Sequence, residues 1–228
     1  MHDRRYILFH KMLTIKEKIN FVKSDNRAKE VTLVAVSKRK PLSDIELMME
    51  LNHTVFGENY AQELVEKFNN IKNKPEFHFI GALQSKKVKM IIDKVTLIHS
   101  VDRVKLAKVI DKEAQSINKI QNILIQLNLT GEDTKAGIKE DELYPFLKEI
   151  EDLKNIKVVG LMTMPFFTDD NELLRPYFKK LRELRDRLNL DGYSEIKELS
   201  MGMSSDFPIA IEEGATIVRV GSAIFGAR

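Results

Sequence analysis

A strand-like run followed by a helix-like run recurs eight times along this chain, and no other feature limits its fold so tightly. Short, β-branched apolar runs lie at 31–37, 54–57, 77–81, 96–101, 122–129, 157–163, 197–201 and 216–220. Amphipathic segments such as SDIELMMELN, YAQELVEKFNNI and VKLAKVIDKEAQSI separate them, with apolar residues every three or four positions. Alternation of this kind predicts parallel βαβ units, because a parallel neighbour needs a long crossover connection. Spread over eight units, 228 residues give about 28 each, enough for a (β/α)8 TIM barrel with short loops. The competing architecture is an open doubly wound sheet, since periodicity does not register whether the last strand pairs with the first. Ahead of the first strand, Ile7, Leu8, Met12, Ile15, Ile19 and Val22 predict an additional N-terminal helix over residues 2–24. The 10 Gly and 6 Pro are scattered and mark no linker, so residues 1–228 are expected to form one domain.

Composition narrows the chemistry. The chain has no Cys, which excludes disulfides, Cys-ligated metals and a thiol nucleophile and favours a cytoplasmic setting. No apolar run reaches the length of a membrane span, and MHDRRYILFHKML lacks a signal-peptide core. With 37 basic against 34 acidic residues, both signs interleaved, no nucleic-acid partner is expected. The five His have neither HxH nor HExxH spacing, so no metal site is expected; His78 and His99 read as core histidines with satisfied hydrogen bonds. The charge-rich stretches KSDNRAKE and FKKLRELRDRL read as solvated faces.

In a parallel barrel, the loops after the strands form the functional face. Polar or Gly residues there are Lys38, Glu58, Asn59, Gly81, Ser100, Asp102, Asn128 and the segments SMGMSSD and RVGSAIFG. Lys38 follows the apolar run VTLVAVS, and a partly desolvated Lys is a nucleophile able to form a Schiff base. The alternative is that SKRKP is a solvated basic turn. Gly221 and Ser222 end the last strand, where freed N–H groups and a hydroxyl suit a phosphate, or where glycine simply serves a tight turn. Ser204 or Ser205 is expected to cap a helix starting near Asp206. Arg219 sits inside a β-branched strand and so needs a partner: either an internal carboxylate, or a ring nitrogen or anionic ligand.

VAVSK at 34–38, FGENYAQE at 56–63, HFIGALQSKK at 78–87, IHSVD at 98–102 and GLMTM at 160–164 together resemble the pyridoxal phosphate homeostasis proteins. RPYFKKLRELRD at 175–186 and LSMGMSSDFPIAIEEGATIVRVGSAIFGAR at 199–228 extend the resemblance over nearly the whole chain from Val31. It implies a fold-type III barrel, similar to the N-terminal domain of alanine racemase, with pyridoxal 5'-phosphate (PLP) in the mouth. By that resemblance Lys38 carries the cofactor as a Schiff base and its phosphate lies near Ser204, Gly221 and Ser222. Arg219 faces the pyridine nitrogen, Asn59 lies near the cofactor, and Ser200 and Met201 line the site. GALQSKK departs from the family's frequent GHLQSNK at Ala82, which is not a cofactor position.

The implied function is binding of PLP in vitamin B6 homeostasis, without robust catalysis. An Arg opposite the ring nitrogen disfavours its protonation and weakens the ring as an electron sink. Alanine racemase compensates with a Tyr from an additional C-terminal β domain, for which a chain ending at Arg228 is expected to have no room. Met164 stands where the racemase-like pattern would place a polar His. The expected partners are PLP and PLP-dependent apo-enzymes, for a chain without membrane attachment that acts as a monomer. Lys135, in the TGEDTKAG loop, is a candidate secondary acceptor. A low-activity amino-acid racemase is the alternative, and a cofactor-free Schiff-base aldolase a third reading.

Overall fold

The computed structural model describes residues 3–24, 30–132, 134–168 and 170–226. His2, Arg228 and positions 25–29 of the KSDNRAKE stretch lie outside the described residues. Eight strands form a closed parallel barrel in sequence order. They are β1 (Thr32–Val36), β2 (Val55–Glu58), β3 (Glu76–Phe79), β4 (Leu97–Val101), β5 (Gln121–Leu127), β6 (Ile156–Thr163), β7 (Glu198–Ser200) and β8 (Ile217–Val220). Closure comes from β1 against β8, with Thr32 opposite Ile217 and Ala35 opposite Val220. The open-sheet alternative is thereby excluded.

Helices α1 (Arg4–Ser24), α2 (Leu42–Glu50), α3 (Ala61–Asn70), α4 (Val88–Ile91), α5 (Val104–Gln115), α6 (Leu143–Ile150), α7 (Arg175–Leu190), α8 (Phe207–Glu212) and α9 (Ser222–Phe225) surround it. The additional N-terminal helix is α1. Its Leu8, Met12, Ile15, Ile19 and Val22 are buried, at alternating steps of three and four residues. It packs on α8 and α9, and Arg4 is paired with Asp44 of α2. None of the described helices is long and apolar enough to cross a membrane.

Two apolar layers share the fold. The larger lies between the strands and the helices, with Phe56, Phe77, Ile91, Ile110, Leu143, Phe178 and Ile211 fully out of solvent. The smaller joins Val34, Leu97, Leu124, Met162 and Ile217 inside the barrel. Side chains two residues apart on a strand share a face. His99 and Arg219, two positions beyond Leu97 and Ile217, therefore occupy the next interior layer, nearer the C-terminal ends of the strands. That layer is polar.

Candidate functional site

The site gathers where the barrel closes. Gly221 follows β8 and lies so close to β1 that a Cβ on it would stand 3.2 Å from the Val36 Cβ. Two residues past Val36 comes Lys38, half-buried in the turn that leaves β1. Ser222, exposed, opens α9 on the other side of the same seam. From the β7 loop, the Ser204 hydroxyl accepts the backbone N–H groups of Gly221 and Ala223 at 3.2 and 3.3 Å. Three loops are thus joined around Lys38, Ser204, Gly221 and Ser222.

The Lys38 turn is anchored from below by buried charges. Lys67 of α3 donates to the Glu58 carboxylate, to Glu63 and to the Ser37 carbonyl, each at 2.7 Å. The Ser37 hydroxyl donates to the same Glu58 oxygen at 2.7 Å, and the Arg39 N–H donates to Glu63 at 2.5 Å. Both neighbours of Lys38 are therefore tied to this cluster. Burial pushes the Glu58 carboxyl up, against the pull of Lys67. Arg39 holds φ of 58°, a left-handed conformation that costs a non-glycine residue on the order of 1 kcal/mol. Backbone strain beside a candidate nucleophile is characteristic of a constrained functional turn.

After β2, Asn59 sits under the β3 loop. A Cβ on Gly81 would come within 2.3 Å of the Asn59 carbonyl, so only glycine permits this approach. The Asn59 side-chain oxygen is buried and has no hydrogen-bond partner among the described residues. A buried polar atom without a partner costs about 1–3 kcal/mol, which suits a position completed by a ligand.

Beneath the seam, Arg219 donates to the Ser200 hydroxyl at 2.5 Å and to the Thr163 carbonyl at 3.1 Å. Its partners are neutral, and burial pushes its pKa down to about 10, with Asp206 opposing from a distance. The internal-carboxylate alternative for Arg219 is not what the fold builds. Ser200 also contacts His99 Nδ1 at 2.8 Å, His99 Nε2 lies 3.0 Å from His78 Nδ1, and His78 Nε2 lies 3.1 Å from Glu76. The two histidines are core residues with satisfied hydrogen bonds, as the sequence suggests. Their connection to Arg219 is not visible in the sequence, because the members come from β3, β4, β7 and β8.

Two placements differ in detail from expectation, that of the Ser204–Ser205 pair and that of Ser200 and Met201. Neither Ser204 nor Ser205 caps the next helix: α8 starts at Phe207 with Asp206 in the capping position and no side-chain cap bond. Asp206 instead accepts the N–H of Met203. Pro208 in the first turn of α8 removes one of the N–H groups that a cap would serve. Ser200 is fully buried below Arg219, and Met201 is buried in the larger apolar layer, so both lie behind the mouth. Lys135 stands apart in the loop after β5, paired with Glu132 at 2.6 Å and lying 5.4 Å from the Phe166 ring centre. The sequence reading missed Glu63 and Lys67; a Glu and a Lys four residues apart on α3, facing a Glu that ends a strand, were the available signal.

The family described as "Alanine racemase, N-terminal domain" matches residues 14–228. The pyridoxal phosphate homeostasis protein of Aquifex aeolicus is 46% identical over 197 residues, covering 86% of each chain. Its counterpart in Escherichia coli is 34% identical over 229 residues, covering 96% of each. Among solved structures, PipY of Synechococcus elongatus with PLP bound superposes with a TM-score of 0.86 at 28% identity, over 96% of this chain and all (100%) of that one. Alanine racemase of Corynebacterium glutamicum shares the fold at 14% identity, with a TM-score of 0.75 over 98% of this chain and 62% of that one.

Proposed function

The chain belongs to the family of pyridoxal phosphate homeostasis proteins, built on the alanine racemase N-terminal domain, and from that premise we propose that it binds PLP and serves PLP homeostasis. We read residues 1–228 as one barrel domain that holds the cofactor through Lys38 without robust turnover. One observation carries the assignment. Lys38, the Ser204–Gly221–Ser222 cradle and a buried Arg219 with only neutral partners meet at the β1–β8 seam.

The donor set fits the cofactor. An aldehyde needs an amine, supplied by Lys38. A phosphate needs N–H and O–H donors: the Ser204 hydroxyl, whose oxygen accepts from Gly221 and Ala223, has its hydrogen to donate, and Ser222 stands exposed at the start of α9. The unpartnered Asn59 oxygen offers a further polar contact. When bound, PLP supplies an electrophilic aldehyde and an electron-withdrawing ring. Arg219 would face the ring nitrogen with a cation, which would oppose protonation there and limit carbanion chemistry. Ser200 and Met201 act from behind the mouth, by supporting Arg219 and the β7 loop.

Met164 beside the mouth cannot move a proton, which favours the non-catalytic reading over a weak racemase. PLP-dependent apo-enzymes are the corresponding recipients, and a monomer in the cytoplasm is the form we propose. Protein incubated with PLP and then dialysed should retain a visible absorbance band that Lys38→Ala abolishes. Colourless wild-type protein after reconstitution would sink the assignment. Conversion of an L-amino acid to its D form, lost in Lys38→Ala, would promote the racemase alternative.

A further inference from the structure

The polar chain beneath Arg219 admits a single proton arrangement. Arg219 can only donate, so the Ser200 oxygen receives its N–H. Apart from Arg219, the Ser200 hydroxyl has one other partner among the described residues, His99 Nδ1 at 2.8 Å, and that is where its hydrogen goes. His99 Nδ1 is then an acceptor, and a neutral imidazole carries its proton on the other nitrogen. His99 Nε2 donates to His78 Nδ1 at 3.0 Å, which places the His78 proton on Nε2, aimed at the Glu76 carboxylate 3.1 Å away. Donation thus runs one way from the barrel axis to its rim. The reverse direction would leave the Ser200 hydrogen without an acceptor and would require an extra proton at His78.

We propose that His99 is a positioning residue for PLP binding: as the Nε2–H tautomer it orients the Ser200 hydroxyl so that its oxygen faces Arg219, fixing the guanidinium that would face the pyridine nitrogen. His99 itself touches no ligand. It is fully buried, with the interior apolar layer below and Arg219 beyond Ser200. Burial, with His78 and Arg219 nearby, keeps its pKa well below the ordinary histidine value, consistent with a neutral ring. His78 in turn selects the tautomer, and Glu76 holds His78. A neutral ring matters physically, because a second buried cation would repel the guanidinium it supports.

The inference rests on the PLP reading, and two measurements separate the two. Two-bond 1H–15N NMR of ligand-free protein at neutral pH should show His99 neutral and protonated on Nε2. An Nδ1-protonated or doubly protonated His99 overturns the proposal whether or not PLP binds. In the holoprotein, His99→Leu removes the acceptor of the Ser200 hydrogen and should weaken PLP binding about tenfold and shift the visible band, as should Ser200→Ala. His99→Asn keeps an oxygen where Nδ1 stood and should restore wild-type affinity to within about twofold and the wild-type band position. A band and affinity unchanged in His99→Leu, or shifted equally in His99→Asn, overturns it. Should His99→Leu fail to fold, the wild-type tautomer and the Asn variant decide. Wild-type protein that takes up no PLP refutes the functional reading instead, and leaves the tautomer result standing.

Discussion

At the scale of single residues, the sequence made Lys38 and Arg219 conspicuous because each breaks an apolar run. It did not show what holds them. Lys67 lies on α3, and the carboxylate it neutralises, Glu58, lies on β2; only the fold makes them partners at 2.7 Å. Taking away one member of a buried pair leaves the other charge unpaired, at a cost of about 3–5 kcal/mol. Lys67→Met should therefore destabilise the protein by roughly that amount at neutral pH. The Glu58 carboxyl is already pushed up by burial and rises further without Lys67. A raised folded-state pKa means that the folded protein holds its proton at pH values where the unfolded chain has lost it. The penalty should hence shrink as pH falls through the folded-state pKa toward the unfolded value. Urea unfolding at pH 7.5 and 5.5 checks this, and adding Glu58→Gln to Lys67→Met should recover much of the neutral-pH loss. Equal losses at both pH values, with no recovery in the double variant, would show that the pair does not act as described.

At the scale of elements, the strands were legible to within two residues, because strands buried on both faces read as continuous apolar runs. The longer helices were legible because each buries one stripe that is written in its spacing. Helix α9 was not, since four residues after the last strand read as a turn. Nor were the partners of the legible elements. The α1 spacing shows an apolar stripe but not that α8 and α9 receive it, nor that Arg4 also reaches the Phe225 carbonyl at 3.1 Å, at the end of α9. The Ser204 cap was misread for the same reason: a hydroxyl before a helix has local donors in the sequence, while its donors in the fold are 17 and 19 residues away. Through α9, α1 bears on the mouth although it contributes nothing to it directly. Leu8→Ala, at a fully buried position, should cost about 2–5 kcal/mol in chemical unfolding. Glu17→Gln on the exposed side of the same helix should stay within about 0.5 kcal/mol. Similar losses for both would mean that the stripe on α1 is not what seats it.

At the scale of the whole molecule, barrel closure was the step that periodicity left open, and it is the step that brings the candidate site residues together. Lys38 and Ser222 are far apart in sequence, and only the pairing of β1 with β8 makes their loops neighbours. A ligand bridging Lys38, Ser204 and Ser222 would bind the folded barrel and not the unfolded chain, since closure alone assembles its contacts. Binding should therefore stabilise the entire fold by mass action, by about 2.7 kcal/mol at a free PLP concentration of roughly 100 Kd. For a chain of this size each kcal/mol raises Tm by about 2–4 °C, so a rise of about 5–10 °C is expected. Lys38→Ala should lose most of that rise at the same PLP concentration, measured against the ligand-free Tm of the same variant. In hydrogen exchange, the amides of Gly221 and Ala223 at the seam should gain protection on binding, with those on the far side around β4 and β5 changing least. An unchanged Tm with saturating PLP, or protection gained mainly around β4 and β5, would place the ligand somewhere other than the β1–β8 seam.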